Sequence, residues 1–172
     1  MWGRSIGSGP AASLARLRAV VHAERSAATA ESHSSEPLEA STTDGQALAC
    51  GGCRHRRSLA GIVLLAPFTS VADVVQHHTN GLIASLVPPL WDVADLLREP
   101  ALRDVPLCVM HPTDDEVVPL AHGQAVLGGA ASAIRCGLWL KQETHNFFFR
   151  HEYAALVSQF LVEHIPIFAE PY

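Results

Sequence analysis

The sequence has few of the features that would place it in several large protein classes. Basic residues are in the minority: 12 Lys and Arg stand against 17 Asp and Glu, for a formal net charge of -5. That balance does not attract a polyanion, so nucleic acid is not expected as a partner. Long apolar runs are missing. The longest, Gly61–Pro67 and Ala154–Val162, fall far short of the roughly 20 residues that span a bilayer. The opening residues Met1-Trp2-Gly3-Arg4-Ser5 contain no apolar core of a secretory signal. Cysteine is scarce: Cys50, Cys53, Cys108 and Cys136 do not make a disulfide framework in a chain of 172 residues. A reducing, cytoplasmic setting is the resulting expectation. No internal repeat is present, and Gly7-Ser8-Gly9 is not followed by Lys-Ser/Thr, which excludes a phosphate-binding P-loop.

What is present points to a globular α/β domain. Hydrophobic residues make up 48% and charged residues 17%, enough apolar material for a core in a single domain over 1–172. Three apolar runs have the unalternating character of buried parallel strands: Gly61–Ala66, Pro106–His111 and Ala133–Leu140. Helical spacing predicts helices over Ser8–Glu24, Val71–His78, Leu120–Gly128 and Glu152–His164. The last is expected to bury Tyr153, Leu156, Val157, Phe160 and Leu161. Strand, loop and helix in repetition predict a three-layer α/β/α fold with a mainly parallel sheet. The stretch from about Ser26 to Leu59 is rich in Ala, Ser, Thr, Glu and Gly, and is expected to be a low-complexity surface insertion.

Three motifs carry chemistry. Gly3-Arg4-Ser5-Ile6-Gly7 is a G-x-S-x-G pattern. A serine at a sharp strand-to-helix turn sits in strained geometry with its hydroxyl thrust outward, and the glycines two before and two after it allow the chain to close on itself. Ser5 is then a nucleophile, Gly3 and Gly7 are the elbow glycines, and the N–H of Ile6 is an oxyanion donor beside a helix N-terminus. The pattern alone is common, but an amphipathic run (Ala11, Ala12, Leu14, Ala15, Leu17) follows directly. The second motif, Asp114-Asp115, lies just after an apolar strand, on the ligand-binding edge of an open sheet. An isolated Asp-Asp would more simply cap a helix, a role that suits Asp114 while Asp115 turns inward. The third is His145, between the last strand and the last helix. One of 10 histidines is weak evidence by itself. The order Ser, Asp, His is what gives it weight.

Other constellations rank lower. Cys50-x-x-Cys53 with His55 lacks a second ligand pair, so a structural zinc is not favoured. His77 and His78 are adjacent and point to different faces of a helix. Arg54-His55-Arg56-Arg57 is more simply a solvated loop than a binding patch.

Taken together, GRSIGSGPAASLA (3–15), LLAPFTSVADVV (64–75), VMHPTDDEVVPLAHGQAV (109–126) and THNFFFRHEYAALVSQFL (144–161) resemble the alpha/beta hydrolase domain-containing protein 17 group. Such proteins are membrane-associated serine hydrolases, several of them protein depalmitoylases. The resemblance implies a Ser5–Asp115–His145 triad and an acyl-enzyme route for ester or thioester hydrolysis. It also implies an acylated protein or small ester as substrate, no metal or organic cofactor, and the cytoplasmic face of membranes as location. It assigns the acid to Asp115 rather than Asp114. Departures are Pro112 where the group has Gly, Glu143-Thr144 before the base, and Phe147-Phe148-Phe149 where an acidic residue often stands. The resemblance covers only the C-terminal half of the hydrolase fold. It implies that the strand feeding the elbow, the earlier strands and the second oxyanion donor are missing, so that turnover by this chain is weak or absent. A serine peptidase-like enzyme and a non-catalytic fragment or interaction module are the alternative readings.

Overall fold

The computed structural model describes residues 1–32, 59–79, 81–88, 90–147 and 150–165. Its frame is a parallel four-stranded sheet in the order β1 (Trp2–Arg4), β2 (Ile62–Leu65), β3 (Leu107–Pro112) and β4 (Arg135–Leu140). All three strand pairings are parallel. The connections carry helices α1 (Ser8–Ser32), α2 (Val71–His78), α3 (Gly81–Ala84), α4 (Val93–Leu96) and α5 (Leu120–Gly129), and α6 (His151–His164) follows β4. No helix among the described residues is long and apolar enough to cross a membrane.

The three-layer expectation holds, and alternation along the strands explains it. Ile62, Leu64, Leu107 and Val109 face one side, where Ala11, Ala12, Ala15 and Ala19 of α1, Val93 and Leu97 of the α4 region and Val126 of α5 close the core. The small alanine stripe lets α1 lie close against the sheet. Val63, Leu65, Cys108 and Met110 face the other side, under Phe147 and under Val157 and Phe160 of α6. β2 and β3 are buried along their whole length, which accounts for their unbroken apolar character.

Several expectations are corrected. The strand that feeds the elbow is present: Trp2–Arg4 pairs in register with Val63–Leu65, as three residues at the edge of the sheet. α1 does not stop at Glu24 but continues to Ser32, because Ala-rich sequence favours helix even without an apolar face. Residues 33–58 of the expected insertion, with Cys50, Cys53 and the run 54–57, lie outside the described residues, whereas Leu59 packs against the core. Leu156 of α6 is exposed rather than buried, whereas Val157 and Phe160 face the sheet. α2 matches its expected bounds, and Ser70 caps it by accepting a hydrogen bond from the Asp73 N–H at 3.1 Å.

Candidate active site

In a parallel sheet every strand delivers its following loop to the same edge, and three such loops meet here. β1 ends at Arg4, and a single 3-10 turn over Ser5–Gly7 leads into α1. Ser5 at the bend has a φ of 48°, in the left-handed region that side chains disfavour. Backbone strain at a residue with a reactive side chain is characteristic of functional sites. Gly3 is needed for this bend: a Cβ there would lie 2.7 Å from both Ala11 Cβ and the Gly7 carbonyl oxygen. Gly7 is not under the same demand, since a Cβ would meet nothing within 4 Å and its φ is not positive. The close approach is instead at Gly9, where a side chain would collide with Trp91, 2.6 Å from its Cβ. The sequence offered a signal for this in the second glycine of Gly7-Ser8-Gly9.

The loop after β3 presents Asp115, which is buried (8% exposed). Its Oδ1 accepts hydrogen bonds from the N–H groups of Val117 at 2.9 Å and Val118 at 2.7 Å. The carboxylate is thus oriented by its own loop. Asp114 is exposed and does not cap a helix; its N–H donates to the Glu143 carbonyl, and Pro119 stands at the start of α5.

The loop after β4 presents His145, also 8% exposed. Its Nδ1 lies 2.8 and 3.0 Å from the two oxygens of Asp115, and its Nε2 lies 3.0 Å from Ser5 Oγ. A carboxylate only accepts, so Nδ1 carries the proton and Nε2 is free to accept from the Ser5 hydroxyl. The three residues singled out from sequence therefore stand in one chain of hydrogen bonds. The arrangement can withdraw a proton from the serine onto the imidazole while the carboxylate stabilises the imidazolium.

Supporting residues emerge that the sequence did not single out. Glu143, one of the departures noted above, accepts from Tyr153 Oη at 2.6 Å and pairs with Arg150 at 3.0 Å, so it ties the His145 loop to α6. His111 is fully buried at the end of β3, its Nε2 donating to the Val118 carbonyl at 2.8 Å and lying 3.5 Å from Asp115 Oδ2. Burial pulls its pKa below the ordinary imidazole value. Its Nδ1 has no hydrogen-bond partner among the described residues and faces Gly123, where a side chain would strike the ring. His122 contacts Thr69 Oγ1 at 2.8 Å, and its pKa too is lowered by burial. Among the described residues no group of three or more His, Cys, Asp and Glu could hold a metal ion, and His77 and His78 sit edge to face, 5.1 Å between ring centroids.

No family model matches the sequence, and no curated protein matches it. Solved structures do. The esterase domain of a Rhodothermus marinus protein superposes with a TM-score of 0.50 at 13% identity, over 91% of this chain and 54% of that one. The fold is that of the α/β-hydrolases. A Paleococcus ferrophilus monoacylglycerol lipase gives 0.49 at 13% identity, over 95% of this chain and 67% of the lipase. A cold-adapted esterase from an Arctic intertidal metagenomic library gives 0.43 at 15%, over 64% and 40%. The chain thus spans about half the length of these esterase structures.

Proposed function

We propose that this chain is a serine hydrolase that cleaves ester or thioester bonds through an acyl-enzyme. The observation that carries the reading is the unbroken relay from Ser5 Oγ through the His145 ring to Asp115, on a strained strand-to-helix turn. His145 takes the Ser5 proton as the hydroxyl attacks the acyl carbon. The oxyanion forms beside the N–H of Ile6 and the N-terminal end of α1, where the helix dipole favours negative charge. His145 then returns the proton to the leaving alkoxide or thiolate, and water repeats the cycle to release the acid. Asp115 stays ionised and holds the ring. An acylated protein or a small ester is the substrate class, by resemblance to the alpha/beta hydrolase domain-containing protein 17 group. That resemblance also supports action at the cytoplasmic face of membranes, on palmitoylated proteins.

The test is labelling by a fluorophosphonate probe, followed by mass spectrometry of the modified peptide. Covalent, saturable modification of Ser5 is expected, lost in Ser5→Ala and slowed at least about 10³-fold in Asp115→Asn, because the amide leaves the imidazole in the wrong tautomer. Folded wild-type protein that resists the probe, or Ser5→Ala protein labelled as fast as wild type, overturns the reading. Hydrolysis rates on matched p-nitrophenyl esters, palmitoyl-thioester peptides and amides then distinguish esterase, thioesterase and peptidase activity.

A further inference from the structure

Two side chains grip the main chain of His145 from opposite ends of its residue. The His145 N–H donates to Glu116 Oε2 at 3.2 Å. The His145 carbonyl accepts from an Arg4 guanidinium nitrogen at 3.1 Å, and the same nitrogen reaches the Phe147 carbonyl at 3.4 Å. The guanidinium also lies over the Phe147 ring, 5.2 Å from its centroid, and that buried ring packs edge-on against Tyr153 at 5.8 Å. Arg4 precedes Ser5 and Glu116 follows Asp115. Each of the base's two partners thus has a chain neighbour that holds the base's own backbone.

We infer that Arg4 and Glu116 are positioning residues that fix the imidazole of His145 between Ser5 and Asp115; this rests on the reading of Ser5 as nucleophile and His145 as base. His145 sits in a loop rather than in a strand or helix, so no regular hydrogen-bond ladder holds its Cα. The Nε2–Oγ contact of 3.0 Å must then be set by whatever holds that backbone. Misplacing a catalytic group by about 1 Å can lower a rate about 10²-fold. Arginine suits the task because one guanidinium nitrogen can donate to two carbonyls while the rest of the flat, weakly hydrated group lies over an aromatic ring, an arrangement that the compact, strongly hydrated lysine ammonium holds less well. Neither side chain approaches Ser5 Oγ by any hydrogen bond in the structure. Their loss should therefore lower kcat and leave KM unchanged.

The experiment compares wild type, Arg4→Met, Arg4→Lys, Glu116→Ala, Glu116→Gln and the double variant Arg4→Met/Glu116→Ala. It measures kcat and KM on a p-nitrophenyl ester, and hydrogen exchange at the His145 amide. Arg4→Met and Glu116→Ala should each lower kcat about 10- to 100-fold with KM within about twofold of wild type. Glu116→Gln, which keeps an acceptor oxygen, should recover most of the rate, and Arg4→Lys only part. The double variant should lose less than the product of the single losses, because both act on one backbone segment. Exchange at the His145 amide should accelerate in Glu116→Ala and not in Glu116→Gln. Single variants with wild-type kcat and unchanged exchange overturn the inference while wild-type turnover leaves the hydrolase reading intact. Wild-type protein without Ser5-dependent turnover overturns that reading instead, and the exchange measurement still decides whether Glu116 holds the base loop. A fall in thermal midpoint matching the fall in kcat across all variants would make the two residues structural only, and would also overturn the inference.

Discussion

Replacing Gly3 and Gly7 separately by alanine should give unequal results, although the G-x-S-x-G pattern treats them alike. An ideal Cβ at Gly3 stands 2.7 Å from Ala11 Cβ, 2.7 Å from the Gly7 carbonyl oxygen and 3.0 Å from Ser8 Cα. Ordinary contacts begin near 3.4 Å, and two of these three neighbours are backbone atoms with no rotamer to change. The strain can be relieved only by moving the elbow or lifting α1 from the sheet at its alanine stripe. Overpacking of this kind costs about 1–3 kcal/mol, and the smaller entropy loss of alanine on folding returns about 0.4–1 kcal/mol. The net loss, up to about 2.6 kcal/mol, lowers the thermal midpoint of a chain this size by up to about 10 °C. At Gly7 a Cβ meets nothing within 4 Å and the backbone is not left-handed, so the entropy term acts unopposed and Gly7→Ala should be about 0.4–1 kcal/mol more stable than wild type. Melts followed by far-ultraviolet circular dichroism give the comparison, and probe labelling of Ser5 shows whether the elbow has moved. Equal midpoints for the two variants would refute the geometry of the turn.

Two further predictions concern protons. The Cys108 thiol, opposite Cys136 in the β3–β4 register, is pushed up to about 12, first by burial and then by its neighbour. Iodoacetamide should therefore alkylate the half-buried Cys136 first and Cys108 only on unfolding. Because the folded pKa is raised, this stabilising contribution is complete below about pH 9 and is lost as pH rises toward 12. Peptide mapping that finds Cys108 modified in the native protein would contradict it. His111 and His122 have folded pKa values lowered by burial from 6.5. Their contribution is complete above about pH 6.5 and is lost as pH falls through the folded values. Urea midpoints should drop below about pH 6.5 and be steady from about pH 7 to 8; a flat profile down to about pH 5 would count against buried, neutral rings.

The parts of the fold that could be foreseen are those whose local pattern and tertiary role agree. β2 and β3 are fully buried runs, and α2 has an apolar spacing and a serine cap. The failures have physical causes. Three residues, Trp2–Arg4, are too short to show a period, and only pairing with β2 makes them a strand. α3 and α4 are four residues each and exist through contacts with their neighbours. Ser5, Asp115 and His145 could be named as candidates because reactive side chains occur in recognisable strings, and the fold brings the three together. The residues around them could not: Glu143 looked like an irregularity before His145, yet it anchors the loop. Arg4 and Glu116 were adjacent to Ser5 and Asp115 all along, but which groups they reach depends on loops brought together from other parts of the chain. Gly9 was visible as a glycine, whereas its need is visible only once Trp91 lies against α1.

Asp115 is held by N–H groups two and three residues along its own chain, whereas the contact between His145 and Ser5 joins residues 140 apart. The Asp115 carboxylate can thus take up its pose as soon as one short loop forms. Ser5 and His145 meet only when every strand has found its register, since β1 and β4 lie at opposite edges of the sheet. Closing so long a loop is the entropically demanding step. Reactivity at Ser5 should therefore be the last property to appear on refolding and the first to fade under mild denaturant. That would make it a gauge of whether the outermost strands are docked, more sensitive than any signal from helix content.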